Sequence, residues 1–304
     1  MTLRWPTSRA LQTLLAGGFA LAILLTVGAC APLTLLNSLV PGDTFRAERD
    51  IAYGDLERQR LDVYVPASLP AAQANPGTGA PIVVFFYGGG WTTGARADYL
   101  FAGEAFASRG YITAVPDYRL HPEVRYADFL DDCARAVAWV TRNAARLGGD
   151  PRRIYLAGHS AGAYNAAMLA YAPEYLARAG VATENVRGFV GLAGPYDFRP
   201  LTGVATRALF GYPDTPDATQ PIHQVRRDGR RLPPALLLTA SEDSVVNPGN
   251  SARLATALRA AGGSAREIAY PGLGHTRLVG SLAVPLRGFA PVLEDIAGFL
   301  AAHR

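Results

Sequence analysis

The chain of 304 residues contains no lysine, so all 29 of its basic residues are arginine. Charged residues make up only 18% of the sequence, and the net charge at pH 7 is +4. The densest basic cluster, residues 226–231, is interrupted by Asp228 and Gly229 and contains no aromatic residue. Nucleic-acid-binding surfaces combine a dense positive stripe with stacking rings, so no nucleic acid is expected as a partner.

Cysteine is nearly as scarce, since Cys30 and Cys133 are the only two in the chain. This number excludes a scaffold held together by several disulfides. Cys133 lies in a helix-like stretch and is expected to be a small buried hydrophobic residue. No nucleotide-binding or metal-binding motif occurs, so no cofactor and no metal ion are expected. The hydrophobic fraction of 49% suits one sizeable core, in a domain of about 260 residues.

The first part of the chain lacks charge altogether between Arg9 and Asp43. Arg4 and Arg9 precede an apolar run over residues 10–27, and a basic segment followed by an apolar one is typical of an export leader. The run ends in Val-Gly-Ala-Cys, which resembles a bacterial lipobox. That resemblance implies cleavage before Cys30 and lipidation of its thiol.

Two alternatives stay open for this leader. An uncleaved run of this length can span a bilayer as an anchor, and a cleaved leader can also release a soluble secreted protein. All three place the following domain outside the cytoplasm, and we expect it in the bacterial cell envelope with the membrane as a partner. The predicted division is a leader over 1–29, a tether over 30–44 and one folded domain over 45–304.

Beyond residue 45, short apolar runs alternate with helix-like stretches. The runs predict strands at 61–65, 82–86, 111–115, 154–157, 188–192, 235–239 and 266–270. The stretches between and after them predict helices near 99–108, 126–146, 161–171, 251–261 and 291–302. This alternation is typical of an α/β fold with a mostly parallel central sheet and helices on both faces. Ligands of such sheets bind at the carboxyl ends of the strands.

A glycine-flanked serine lies between a predicted strand and a predicted helix, in the sequence Gly-His-Ser-Ala-Gly over residues 158–162. A serine on a sharp strand-to-helix turn is the layout of a nucleophile elbow, where small neighbours let strand and helix approach closely. Ser160 is therefore the candidate nucleophile. The pattern alone is weak, so the interpretation depends on finding the other members of a catalytic triad.

A serine hydroxyl needs a base to remove its proton. His275 lies in a glycine-rich loop directly after the last predicted strand, where the base of such a fold belongs. His159, inside the elbow, is expected to pack or to point away. The other histidines are expected to be structural or solvated: His121, His223 and His303.

The base in turn needs a carboxylate that orients it. Asp243 comes just past the sixth predicted strand and is the preferred candidate. Asp197, after the preceding strand, and the adjacent Glu242 remain as alternatives.

Three consecutive glycines, Gly88–Gly90, follow the buried strand 82–86 and are themselves followed by Trp91. Glycines let a backbone approach a substrate closely, and a tetrahedral oxyanion needs preorganised N–H donors. The predicted donors are the backbone N–H groups of Gly89, Gly90 and Ala161.

Taken together, these residues resemble the α/β-hydrolase esterases with an HGGGW-type oxyanion loop. That group includes hormone-sensitive-lipase-like, feruloyl- and acetyl-esterase-like enzymes and kynurenine formamidase. The similarity runs from about Phe45 to the C-terminus, and the order serine, aspartate, histidine is the one typical of the fold. Tyr87 departs from the group, because a histidine usually opens its loop. By the same resemblance Asp117, Arg119 and Asp132 are structural.

The resemblance implies a serine carboxylic ester hydrolase that acts through an acyl-enzyme on small or medium acyl or aryl esters. Residues 198–232, with Leu209, Phe210 and Tyr212, are expected to cap or flank its pocket. One alternative is an amidase similar to kynurenine formamidase, although an export leader argues against a cytosolic substrate. The other is a non-catalytic binding protein on the same fold, against which the complete candidate triad argues.

Overall fold

A computed structural model describes residues 32–69, 77–226 and 228–303. One eight-stranded sheet forms its centre. The strands are β1 (Phe45–Ala52), β2 (Arg60–Pro66), β3 (Ala80–Phe86), β4 (Ile112–Pro116), β5 (Gly149–His159), β6 (Val186–Leu192), β7 (Ala235–Ala240) and β8 (Ala265–Tyr270).

The strands lie side by side in the order β1-β2-β4-β3-β5-β6-β7-β8. β2 pairs antiparallel with both β1 and β4, and every pairing from β4 to β8 is parallel. All seven predicted strands are present, so the predicted α/β fold with a mostly parallel sheet is confirmed. Parallel pairing brings the carboxyl ends of β3, β5, β6, β7 and β8 to one edge of the sheet.

Helices alternate with these strands along the chain. They are α1 (Pro32–Ser38), α2 (Leu100–Ala107), α3 (Tyr126–Leu147), α4 (Ala161–Tyr171), α5 (Pro173–Arg178), α6 (Val204–Phe210), α7 (Gly249–Ala260), α8 (His275–Gly280) and α9 (Val292–Ala302). α2 contacts α1 and α9, whereas α3, α4 and α5 contact one another. The middle strand β3 is fully buried over Ile82–Phe86, as a strand covered by helices on both faces must be.

Strand β1 is the one strand that the apolar runs did not predict. Its sequence, Phe-Arg-Ala-Glu-Arg-Asp-Ile-Ala, is half charged, and most of its side chains are exposed. β1 lies at the edge of the sheet, where charged side chains discourage pairing with another chain. The charged residues that suit β1 to the edge of the sheet therefore also remove the apolar pattern by which a strand is predicted from sequence.

The predicted tether departs from expectation, because part of it is helix α1. Asn37 donates from Nδ2 to the carbonyl oxygen of Ala97 (2.8 Å), and its Oδ1 accepts from the N–H of Phe101 (3.1 Å) near the start of α2. Leu33, Leu36 and Val40 pack against the core. Residues 32–40 are thus docked on the domain that they were expected only to tether.

The predicted leader over 1–29 and the lipidation site Cys30 lie outside the described residues. Within the described ranges, no helix combines the length and apolar character needed to cross a bilayer. Cys133 is buried in α3 with a free thiol, as expected, and burial raises the pKa of that thiol.

Candidate active site

Ser160 is the single residue between β5, which ends at His159, and α4, which begins at Ala161. Its φ of 55° lies in the left-handed region, which costs free energy for a residue with a Cβ. A Cβ at Gly158 would lie 2.3 Å from the carbonyl oxygen of Gly162, so only glycine permits this approach of strand and helix. The strained turn presents the serine at the carboxyl edge of the sheet.

His275 and Asp243 meet at the same edge. Imidazole Nδ1–H of His275 donates to Oδ2 of Asp243 at 2.8 Å. Oδ1 of Asp243 accepts from the backbone N–H groups of Val245 (2.9 Å) and Val246 (2.8 Å), and this side chain is only 2% exposed. A neutral histidine that donates from Nδ1 keeps Nε2 as a proton acceptor, which is the form a general base needs.

The two other candidate carboxylates have different environments. Asp197 forms an ion pair with Arg253 (2.5 Å), and Glu242 is exposed to solvent. Among the described residues, Asp243 is the carboxylate that contacts the His275 ring. His275 itself is the first residue of α8, so the expected loop ends one residue before it.

Ser160 and His275 line one cavity of about 480 Å³, together with Gly88–Gly90, Tyr99 and His159. Within the described part of the chain, no hydrogen bond joins the serine hydroxyl to the imidazole. Such bonds are often long before substrate binds and tighten in the complex, so their length does not exclude the pair. The three predicted triad residues therefore share one site.

The glycine loop forms the side of this cavity next to the serine. Gly89 has a φ of 131°, and a Cβ there would lie 2.1 Å from the carbonyl oxygen of Thr93. Within the described ranges, no protein acceptor takes the backbone N–H of Gly89, Gly90 or Ala161. Ala161 also begins α4, where the helix dipole favours negative charge. These three donors are free to bind a developing oxyanion, and this role stays a prediction.

Tyr87 supports the loop where the group has histidine. Its ring stacks on Tyr118 with centroids 4.7 Å apart, and its hydroxyl accepts from Arg58 at 2.8 Å. The Tyr118 hydroxyl donates to the Tyr87 carbonyl oxygen at 2.8 Å. Arg119, next to Tyr118 in the chain, pairs with the fully buried Asp132 at 2.8 Å. The departure thus preserves a buried, hydrogen-bonded start of the glycine loop.

A second cavity, of about 600 Å³, is lined by Ser160 and Ala161. Its apolar wall includes Trp91, Phe198 and Leu201. The segment expected to flank the pocket does so over residues 198–206. Phe210 instead packs edge-on behind the Trp91 ring at 5.0 Å, while Leu209 is buried and Tyr212 is 51% exposed. Ser160 thus lines both cavities.

His159 contributes more to the site than its sequence position indicated. Its ring packs against that of His275 with centroids 4.7 Å apart, and Nε2–H donates to the His275 carbonyl oxygen at 3.2 Å. Nδ1 faces the Tyr99 hydroxyl at 3.4 Å, and that hydroxyl accepts from the N–H of Gly88 at 3.3 Å. Burial, and secondly the charge of His275, lowers the pKa of His159 to about 3. A neutral His159 therefore joins the base to the glycine loop.

This pKa predicts a pH-dependent stability. Unfolded His159 takes up a proton near pH 6.5, whereas folded His159 does so near 3, so the free energy of unfolding falls as the pH drops through this window. Between pH 7 and pH 5 the loss from this residue is about 2 kcal/mol. Urea unfolding of His159→Gln should show a loss smaller by that amount. His303→Gln is the control and should match the wild type, and an equal loss in all three proteins would refute the assignment.

Comparison with known proteins identifies esterases among those similar to this chain. The family model BD-FAE matches residues 61–258. Isoprenylcysteine alpha-carbonyl methylesterase ICME of Arabidopsis thaliana is 32% identical over 277 residues, which cover 85% of this chain and 63% of that protein. Carboxylesterase NlhH of Mycobacterium tuberculosis is 39% identical over 125 residues, covering 40% and 37%. The chain spans about three fifths of the length of the plant relatives it matches.

Solved structures of other esterases have the same fold as this chain. A truncated carbohydrate esterase from gut microbiota superposes with a TM-score of 0.73 at 22% identity, covering 86% of this chain and 98% of that one. Esterase 2 of Thermogutta terrifontis, solved with bound propionate, has a TM-score of 0.68 at 25% identity, covering 86% and 96%. The eight-stranded sheet and its helices are therefore those of α/β-hydrolase esterases.

Proposed function

The chain belongs to the BD-FAE family of α/β-hydrolase esterases, and from this premise we propose that it hydrolyses carboxylic esters through an acyl-enzyme on Ser160. The observation that carries the proposal is the 2.8 Å hydrogen bond from His275 Nδ1 to Asp243 in the cavity of the strained serine. A nucleophile, an oriented base and free backbone donors at one edge of the sheet are the parts that acyl transfer needs.

In the first half of the reaction, Nε2 of His275 accepts the proton of the Ser160 hydroxyl as its oxygen attacks the ester carbonyl. Asp243 stabilises the imidazolium that forms, without taking its proton. The N–H groups of Gly89, Gly90 and Ala161 hold the oxyanion, each contributing about 3–4 kcal/mol to the transition state. The imidazolium then protonates the departing alkoxide, which leaves as an alcohol.

In the second half, His275 removes a proton from water, and the resulting hydroxide attacks the acyl carbonyl on Ser160. The same donors hold the second oxyanion. When it collapses, the Ser160 oxygen leaves and recovers a proton from His275, so the enzyme returns to its starting state with a carboxylic acid as product.

The proposed substrates are esters of small or medium acyl or aryl groups. Trp91 and Phe198 give the second cavity a flat apolar wall, and its volume of about 600 Å³ suits such a group. The Thermogutta terrifontis esterase was solved with propionate, a carboxylate with a short chain, bound to it.

Hydrolysis of p-nitrophenyl esters from acetate to decanoate tests this proposal. We expect hydrolysis, with kcat/KM highest for short or medium chains. A folded protein that cleaves none of these esters but cleaves aryl amides would favour an amidase, and one that cleaves neither would favour a binding protein. Either result would overturn the proposal.

We also propose that the protein is exported and held in the bacterial cell envelope as a lipoprotein, with residues 1–29 as its leader. The support is the charge-free apolar run after Arg4 and Arg9, followed by Cys30. Cells fed labelled palmitate should label the wild-type protein and leave Cys30→Ser unlabelled. Equal labelling of both proteins would contradict lipidation at this residue.

A further inference from the structure

Helix α1 forms part of the wall of the catalytic cavity. Leu33 lines this cavity together with the glycine loop, Ser160 and His275. The two hydrogen bonds of Asn37, to Ala97 and Phe101, fix the helix against the turn before α2. The segment that precedes the domain is thus built into the active site.

Two leucines are exposed on the outer side of α1 and in the turn after it, beside the polar Thr34 and Ser38. Leu33, Leu36 and Asn37 face the domain at the spacing of a helix, and Val40 packs on it from just beyond the helix end. Leu35 of α1 is 43% exposed, and Leu39, in the turn directly after α1, is 52% exposed. Val245, which lines the same cavity two residues after Asp243, is 69% exposed. Large apolar side chains therefore face solvent both on the cavity wall helix and at the cavity rim.

The short segment between Cys30 and Leu33 limits how far a membrane anchor at Cys30 can lie from this cavity. Cys30 is three residues before Leu33, and three residues span at most about 11 Å even when fully extended. No charged residue occurs between Arg9 and Asp43, so this stretch can lie against lipid without burying a charge. An anchor at or before Cys30 would hold the cavity close to the bilayer.

We propose that the mouth of the catalytic cavity faces the membrane and that the enzyme takes its ester from the bilayer. The mouth is marked by the exposed lining residues Gly90, Thr93, Val245 and Thr276. Leu35 and Leu39 contact lipid, and the substrate is an amphiphilic ester carried in the membrane. This inference rests on the proposed esterase function and on the proposed N-terminal anchor.

The test compares two esters with the full-length protein in vesicles of phosphatidylethanolamine and phosphatidylglycerol. One ester, 4-methylumbelliferyl oleate, is carried in the bilayer, and the other, 4-methylumbelliferyl acetate, is soluble. The variants are Leu35→Glu, on the outer side of α1, and Leu39→Glu, in the turn directly after it. Leu56→Glu is the matched control, because Leu56 is 45% exposed and lines neither cavity.

We expect Leu35→Glu and Leu39→Glu each to lower the rate on the vesicle-borne ester at least about tenfold, because a charge disfavours contact with lipid. The rate on the soluble ester should stay within about twofold, as is usual for surface substitutions. Leu56→Glu should change neither rate. Equal losses on both esters, or no loss on the vesicle-borne ester, would overturn the inference. Failure of the wild type on the soluble ester would instead refute the esterase function.

Discussion

Replacing Ser160 with alanine should lower kcat for p-nitrophenyl butyrate at least about 10⁴-fold. The reason is that alanine leaves the cavity, the oxyanion donors and the His275–Asp243 pair in place while removing the atom that becomes acylated. What remains is the catalysis that the oxyanion donors and binding supply alone. The measurement is steady-state hydrolysis at saturating ester, beside a thermal unfolding curve that checks the fold.

Ser108→Ala is the matched control for this substitution. Among the described residues, its hydroxyl bonds the carbonyl oxygen of Ala105 at the end of α2 (2.9 Å), and it lines neither cavity beside Ser160. Its kcat should equal that of the wild type. Equal activity in Ser160→Ala and Ser108→Ala would mean that the elbow assignment is wrong.

Asp243→Asn should lower kcat by about 10⁴-fold with little change in KM. An asparagine amide can donate to Nδ1 of His275, which moves the imidazole proton to Nε2 and removes the lone pair that accepts the serine proton. The two backbone bonds from Val245 and Val246 can still go to the amide oxygen, so the turn should keep its shape. The loss should therefore be one of proton transfer rather than of folding.

Glu242→Gln is the control for charge at this position of the chain. Glu242 is exposed and adjacent to Asp243, so its substitution should leave kcat within about twofold of the wild type. Asp197→Asn tests the other candidate for the triad acid. It breaks the ion pair with Arg253 at the second cavity, so it should raise KM more than it lowers kcat. A greater loss of kcat in either control than in Asp243→Asn would reassign the acid.

The parts of the fold that could be predicted are those that must be buried on both faces. β3 and β7 read as continuous apolar runs, because helices cover them on each side. β1 could not be predicted in this way, since its charged side chains face solvent at the sheet edge. α1 was not predicted, because its few inward-facing residues continue the apolar run of the N-terminal segment. That pattern is also typical of a leader and tether.

The candidate site, like the fold, could be predicted only in part. Ser160, Asp243 and His275 each come after a strand, so the topology alone brings them to one edge, and their residue types indicate their roles. The contact of His159 with His275 could not be predicted, because it depends on how the end of β5 meets the start of α8. A polar residue next to the nucleophile was the only signal for it.

Mass spectrometry of the protein after reaction with a fluorophosphonate tests the central claim most directly. The reagent phosphonylates an activated serine, and the tryptic peptide 154–178 contains Ser160 as its only serine. The account predicts one phosphonyl group per chain, on Ser160, with loss of esterase activity in proportion to labelling. Labelling of another residue, or full esterase activity in protein labelled at Ser160, would contradict it.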